Sequence, residues 1–133
     1  MRALQKFFLL SALALLIAAC GNISNQTDLV GRYVCVHSFG IEILDLRKDG
    51  TYLQAVLIDR QPRPLANSGR WSFDAPGAAL KLDSALLVTD GFGRLESFID
   101  QPRVGTWVVP VESRFGKAVL RPNPDDEAAF HRL

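Results

Sequence analysis

From Val30 onward the apolar residues fall into stretches of four to nine positions, rich in Val, Ile, Leu and aromatics and interrupted by Gly, Pro or Asp clusters. That pattern predicts short strands rather than helices. The expected strands are Val30–Ser38, Ile41–Arg47, Thr51–Asp59, Gly69–Asp74, Ala78–Asp83, Leu86–Thr89, Arg94–Asp100, Val104–Val111 and Lys117–Arg121. Lys48–Tyr52, KDGTY, predicts a hairpin, because Asp-Gly readily takes the positive φ of a tight turn. Strands this short at regular spacing predict one small all-β domain, an antiparallel meander, barrel or sandwich of eight to nine strands over residues 29–133.

Part of the chain is self-similar. Asp49-Gly50, Ile58-Asp59, Gln61-Pro62-Arg63 and Gly69-Arg70-Trp71 are matched by Asp90-Gly91, Ile99-Asp100, Gln101-Pro102-Arg103 and Gly105-Thr106-Trp107. The offset is 41 for the first two elements, then 40 and 36 as the connecting segment shortens. Length change confined to a connection is what a surface loop tolerates. The expectation is a duplicated β-hairpin unit within one closed sheet.

Gly31-Arg32-Tyr33 begins the first strand in the same Gly-x-aromatic style. In a strand, Trp71 and Phe73 share one face while Arg70, Ser72 and Asp74 share the other. Tyr33, Trp71, Phe73 and Trp107 are therefore the expected core aromatics, and the glycines allow a neighbour to approach. The Gly-x-Trp elements resemble the strand start of lipocalins and of small lipocalin-like bacterial lipoproteins. That resemblance implies a barrel that binds a small apolar ligand.

Before this domain, Arg2 and Lys6 precede an apolar run, Phe7–Cys20, with no acidic residue. As a helix it reaches about 21 Å, short of the ~30 Å bilayer core, and polar Asn22, Ser24, Asn25 and Gln26 end it. A charged start, a short apolar run and small residues at its end describe a secretory signal peptide. Ile17-Ala18-Ala19-Cys20 resembles the bacterial lipobox. That resemblance implies cleavage after residue 19, palmitate-type acylation at Cys20 and a periplasm-facing outer-membrane lipoprotein. Gly21, where an Asp would resemble an inner-membrane retention signal, favours the outer membrane. Two or more acyl chains anchor stably. Residues 21–28, GNISNQTD, are small and polar and are the expected tether behind Cys20.

Loss of Arg2 and Lys6 from the 15 Lys and Arg leaves 13 basic against 14 acidic residues, a net charge of −1. Such a balance gives no reason to expect nucleic acid. With Cys20 lipidated, Cys35 has no disulfide partner. Cys35 and His37, two apart on a strand, point the same way; such a pair can form a nucleophile, although the plainer reading is a buried thiol beside a histidine. Two histidines without a Cys cluster give no metal-ligand spacing, and no catalytic or phosphate-binding motif occurs. The expectation is a non-enzyme without cofactor or metal. Asn123 and Pro124 are expected to open a short C-terminal helix, its acidic start at Asp125-Asp126-Glu127 and its basic end at His131-Arg132; a last strand through Ala129–Leu133 is the alternative.

The Gln-Pro-Arg connections present Arg60, Arg63 and Arg103, donors suited to paired bonds with carboxylate or phosphate. If the repeat is structural, both connections share one rim, the candidate contact surface for a ligand or partner. The functional expectation is a lipid-anchored binding module for a small apolar ligand or envelope component. The alternative is an inhibitor or immunity lipoprotein that blocks an envelope-acting toxin or hydrolase through the loop Asp59–Ser68.

Overall fold

Alternation along the strands closes a ring. The computed structural model describes residues 23–88, 102–122 and 128–133. Within them the chain forms a closed antiparallel barrel of eight strands: β1 (Gly31–His37), β2 (Gly40–Leu46), β3 (Thr51–Ile58), β4 (Leu65–Asp74), β5 (Ala79–Leu86), β6 (Val104–Arg114), β7 (Lys117–Leu120) and β8 (Phe130–Arg132). Each strand pairs with its successor, and β8 returns to β1 through Tyr33↔Arg132 and Val34↔His131. In β3, Tyr52, Gln54, Val56 and Ile58 are buried, while Leu53 and Leu57 face outward.

The β2–β3 turn follows the KDGTY expectation. Gly50 takes φ 83°, and the Asp49 carboxylate accepts from the Thr51 N–H at 2.9 Å and the Thr51 hydroxyl at 2.6 Å. These bonds from Thr51 hold the Asp49 carboxyl below its ordinary range. Gly40, at the β1–β2 turn, has φ 154°, and a Cβ there would lie 1.9 Å from the Leu57 carbonyl oxygen. Only glycine lets β3 come this close.

One end of the barrel is closed by the chain entering it. Gln26–Leu29 form a single 3-10 turn, with Asn25 and Asp28 making a reciprocal capping box. Leu29 is buried in the core, and Ile23 packs against it. The Ile23–Asp28 part of the expected tether is thus folded onto the domain, because its polar residues cap the turn and its apolar ones cover the core. Arg132 locks this end. Its guanidinium lies 5.3 Å from the centre of the Tyr33 ring, donates to the Tyr33 hydroxyl at 2.7 Å and reaches the Asp28 carbonyl. The Tyr33 hydroxyl in turn donates to Leu29 O at 2.8 Å.

Three elements differ from the sequence expectation. β4 begins at Leu65 rather than Gly69, so the connection after β3 is Asp59–Pro64 and not Asp59–Ser68. Leu65–Ser68 reads as loop because it contains Asn67, but Asn67 points inward and is hydrogen-bonded there. Ala78–Asp83 and Leu86 join in one strand, β5, with a register shift between Leu82 and Ala85; Ser84, at φ 55°, takes up the irregularity. The chain end is the alternative strand: Phe130 pairs with Leu120 and buries its ring, and His131 and Arg132 belong to β8 rather than to a helix end. Met1–Asn22 with Cys20, the expected strand Arg94–Asp100, and Asn123–Glu127 lie outside the described residues.

The Gly-x-Trp elements fall level across β5. Trp71 on β4 and Trp107 on β6 both pair with Leu82. Gly69 admits the Tyr52 ring and the Asp83 carbonyl. The β2–β3 turn and the hairpin β3–β4 carry the first copy of the repeat; the front of the second copy, 90–101, lies outside the described residues. Trp71 is buried, and its indole N–H donates to Arg47 O at 2.9 Å. Trp107 and Phe73 are only partly buried, and Trp107 meets Phe130 edge-on at 6.2 Å.

Trp71→Ala should therefore destabilise the domain by about 3–5 kcal/mol in urea unfolding, and Trp107→Ala by clearly less. Equal losses at both positions would contradict the difference in burial. Gly40→Ala should also unfold the domain at lower urea, because the added methyl collides with backbone.

Candidate functional site

The antiparallel order puts the turn 37–40, the connection 59–64 and the start of β6 at one end of the barrel, opposite the 3-10 turn. Side chains fill the interior below this mouth in layers. Nearest the closed end is the main apolar core, with Leu29, Tyr33, Leu46, Tyr52, Trp71 and Phe130. Above it, in phase along β1 to β4, lie Cys35, His37, Glu42, Gln54 and Asn67. A second, smaller apolar cluster follows at the mouth: Val56, Ile58 and Leu86, with Phe39, Leu65 and Val88 against it. A polar belt thus separates two apolar layers.

The belt is hydrogen-bonded throughout. Gln54 accepts from the Leu86 N–H at 2.8 Å and donates to Leu86 O at 3.0 Å, imitating a strand pair with its side-chain amide. It also donates to Glu42 Oε2 at 3.3 Å and accepts from Asn67 Nδ2 at 3.3 Å. Asn67 donates to Ser84 O at 2.6 Å. The Tyr52 hydroxyl donates to Asp83 O at 2.6 Å, and burial pushes its pKa up to about 12, so it stays a neutral donor. These contacts lie where the β4–β5 ladder stops: β4 pairs with β5 only over Trp71–Asp74. Above that point, side chains from β3 and β4 satisfy the backbone of the irregular stretch of β5.

Glu42 is fully buried, and His37 Nε2 lies 3.4 Å from its Oε1. The His37 ring also stacks on Phe39, 4.8 Å between centres with 6° between planes. Burial alone would push the imidazole pKa down. Hydrogen bonds to Cys35 and Glu42, with their electrostatic attraction, outweigh it and raise His37 to about 9. At neutral pH the His37 imidazole of the belt is therefore protonated. Cys35, His37 and Glu42 have the residue types of a nucleophile, base and orienting acid, but Cys35 and Glu42 are fully buried and this arrangement offers a substrate no approach to the sulfur. Among the described residues, no group of three or more His, Cys, Asp or Glu is placed to hold a metal ion.

The predicted contact residues lie above these layers. Arg60 and Arg63 are exposed in the 59–64 connection and make no ion pair or side-chain hydrogen bond among the described residues. Arg60 sits at φ 66°, a backbone conformation that turns the chain sharply after β3. Arg103 is exposed just before β6, and its carbonyl accepts from Leu87 N–H at 2.9 Å. All three arginines therefore belong to the same end. Tyr33 and Trp71 are core residues, whereas Phe73 and Trp107 border the core.

Sequence reasoning missed Glu42, Gln54 and Asn67. A signal for the first two was present: Glu42 is in phase with Leu44 and Leu46, and Gln54 with Tyr52, Val56 and Ile58. A polar residue on the buried phase of a strand must find partners inside. Compared with protein-family models, curated proteins and solved structures, the chain matches none.

The imidazolium gives a pH test. A histidine whose pKa rises on folding contributes stability in full below its unfolded value of about 6.5, and loses it as pH rises through about 9. Urea stability should fall across that window. Glu42→Gln and Cys35→Ser should each lower the His37 pKa, read by NMR titration, and flatten the fall. Gln54→Leu should destabilise by about 1–3 kcal/mol for each buried group it orphans.

Proposed function

We propose that this chain is a lipid-anchored envelope lipoprotein whose barrel is a non-catalytic binding module, contacting its ligand at the mouth. The observation that carries this reading is the separate apolar layer at the mouth, Val56, Ile58 and Leu86, with the exposed cations Arg60, Arg63 and Arg103 at the same end. The cluster itself is buried, so a ligand would meet its partly buried rim, Phe39, Leu65 and Val88, beside guanidinium groups, a combination that matches a small amphiphile with an anionic head. Arginine supports such recognition with paired donors to carboxylate or phosphate.

The described chain enters the barrel at its closed end, opposite the mouth. Cys20 is three residues from Ile23, which already packs on the core. Three residues span at most about 11 Å. A lipid on Cys20 would hold the closed end at an outer-membrane leaflet and turn the mouth toward the periplasm. The same geometry serves the second reading, an inhibitor. The exposed Asp59–Pro64 connection, with Pro62 and Pro64 limiting its freedom, is a pre-shaped segment that can enter a groove on an envelope toxin or hydrolase.

Two measurements test the proposal. Cells expressing the full chain should incorporate labelled palmitate, and Cys20→Ser should abolish it; persistent label would remove the anchor. The full chain in detergent should bind a fluorescent dansyl-labelled fatty acid. Joint Arg60→Glu and Arg63→Glu replacement should weaken binding about tenfold or more, while the unfolding midpoint stays unchanged. No binding by the parent chain, together with co-capture of an envelope protein that the double replacement abolishes, would favour the inhibitor reading.

A further inference from the structure

The outer surface of β1–β3 has the wrong chemistry for a wall that faces only water. With Tyr33, Glu42 and Gln54 pointing inward, Val36, Ile41 and Leu57 form one row across the outside, in direct register. They are 70%, 40% and 43% exposed. The next row is Val34, Ile43 and Ala55, and the third is Arg32, Asp45 and Leu53, the last 41% exposed. Two of the three outward rows of these strands are thus wholly apolar, a pattern more usual for strands covered on both sides.

We infer that this face is the contact between two copies of the chain, related by a two-fold axis near Ile43, the middle position of the middle strand. Three rows on three strands cover about 14 by 20 Å, roughly 300 Å² at ordinary strand spacing and rise. A standard interface takes about 800 Å² per partner, with an apolar core inside a polar rim. The patch has the size of that core. Charge narrows the occupant further. The outward charges of these strands are Arg32 and Asp45, which pair with each other at 3.4 Å. A face that meets its own copy avoids like-charge repulsion when its outward charges balance, and these two do. A face built to dock on an anionic bilayer carries excess Lys or Arg, commonly with exposed aromatic rings; this one has neither.

The contact does not depend on a lipid at Cys20 or on ligand at the mouth. Light scattering of the full chain in mild detergent should give a concentration-dependent mass of two copies. Ile41→Glu and Leu57→Glu, which bring like charges together across the axis, should each weaken association at least tenfold, and Lys81→Glu on the outer face of β5 should not. Because the glutamate variants add strain to half-buried positions, Ile43→Cys provides an independent reading. It should form a disulfide-linked dimer on oxidation, while Lys81→Cys and the parent should not. A monomer at every concentration overturns the inference, as does a dimer insensitive to both glutamates in which Ile43→Cys stays unlinked. Protection of the face only after addition of phosphatidylethanolamine–phosphatidylglycerol vesicles would overturn it in favour of the bilayer.

Discussion

The barrel depends on one side chain doing a strand's work. Above Trp71 and Leu82, the β4–β5 ladder ends, and the wall would otherwise carry unpaired backbone groups, those of Leu86 in a buried position. Gln54 takes both the N–H and the carbonyl of Leu86, and Asn67 and Tyr52 take the carbonyls of Ser84 and Asp83. An unpaired buried backbone group costs roughly as much as a lost hydrogen bond, so the belt lets the irregular end of β5 remain part of a closed ring. The belt is also directional. Leu86 sets which end of the Gln54 amide is donor and which is acceptor, and the free donor then turns to Glu42.

That chain of orientation explains the buried carboxylate. A carboxylate out of water needs a compensating charge and filled lone pairs. Glu42 receives Gln54 on one oxygen and His37 on the other. The histidine is held in turn by Phe39, which belongs to the apolar layer at the mouth. Wall, belt and mouth are thus mechanically linked: a change that moved the 37–40 turn would disturb the proton on His37, and with it the charge balance around Glu42. A partly satisfied polar network is worse than an apolar core, so these residues form or fail together.

Much of the fold was legible because it rests on period-2 patterning and on turn chemistry. β1, β2, β3 and β7 lie within a residue or two of their expected limits, and Asp49-Gly50 marks its hairpin. The misses share a cause. Asn67 and Ser84 read as loop residues, yet each sits in a strand and bonds to a partner more than ten positions away in sequence. No local window contains that partner. Phe130 was hard to read for a similar reason, since a three-residue strand is held by pairing with Leu120 and by the Arg132 lock on Tyr33. At the mouth, the Gln-Pro-Arg spacing pointed to one rim; the layering beneath it came only from the register of four strands.

The two faces of β1–β3 make different demands on the same residues. Inside, alternation is broken by Glu42 and Gln54, which the closed ring needs for its irregular wall. Outside, alternation is broken in the opposite sense by Val36, Ile41 and Leu57, which the ring does not need at all. A barrel stabilised by its interior gains little from half-exposed aliphatic side chains, while contiguous exposed apolar area invites association. Threonine or a charged residue at these outward positions would keep strand propensity or solubility without that hazard. Internal packing therefore accounts for the inner polar residues and leaves the outer apolar ones unexplained. A second surface that covers them supplies the missing constraint, and it does so on the side wall of the barrel, with its most exposed row just below the mouth.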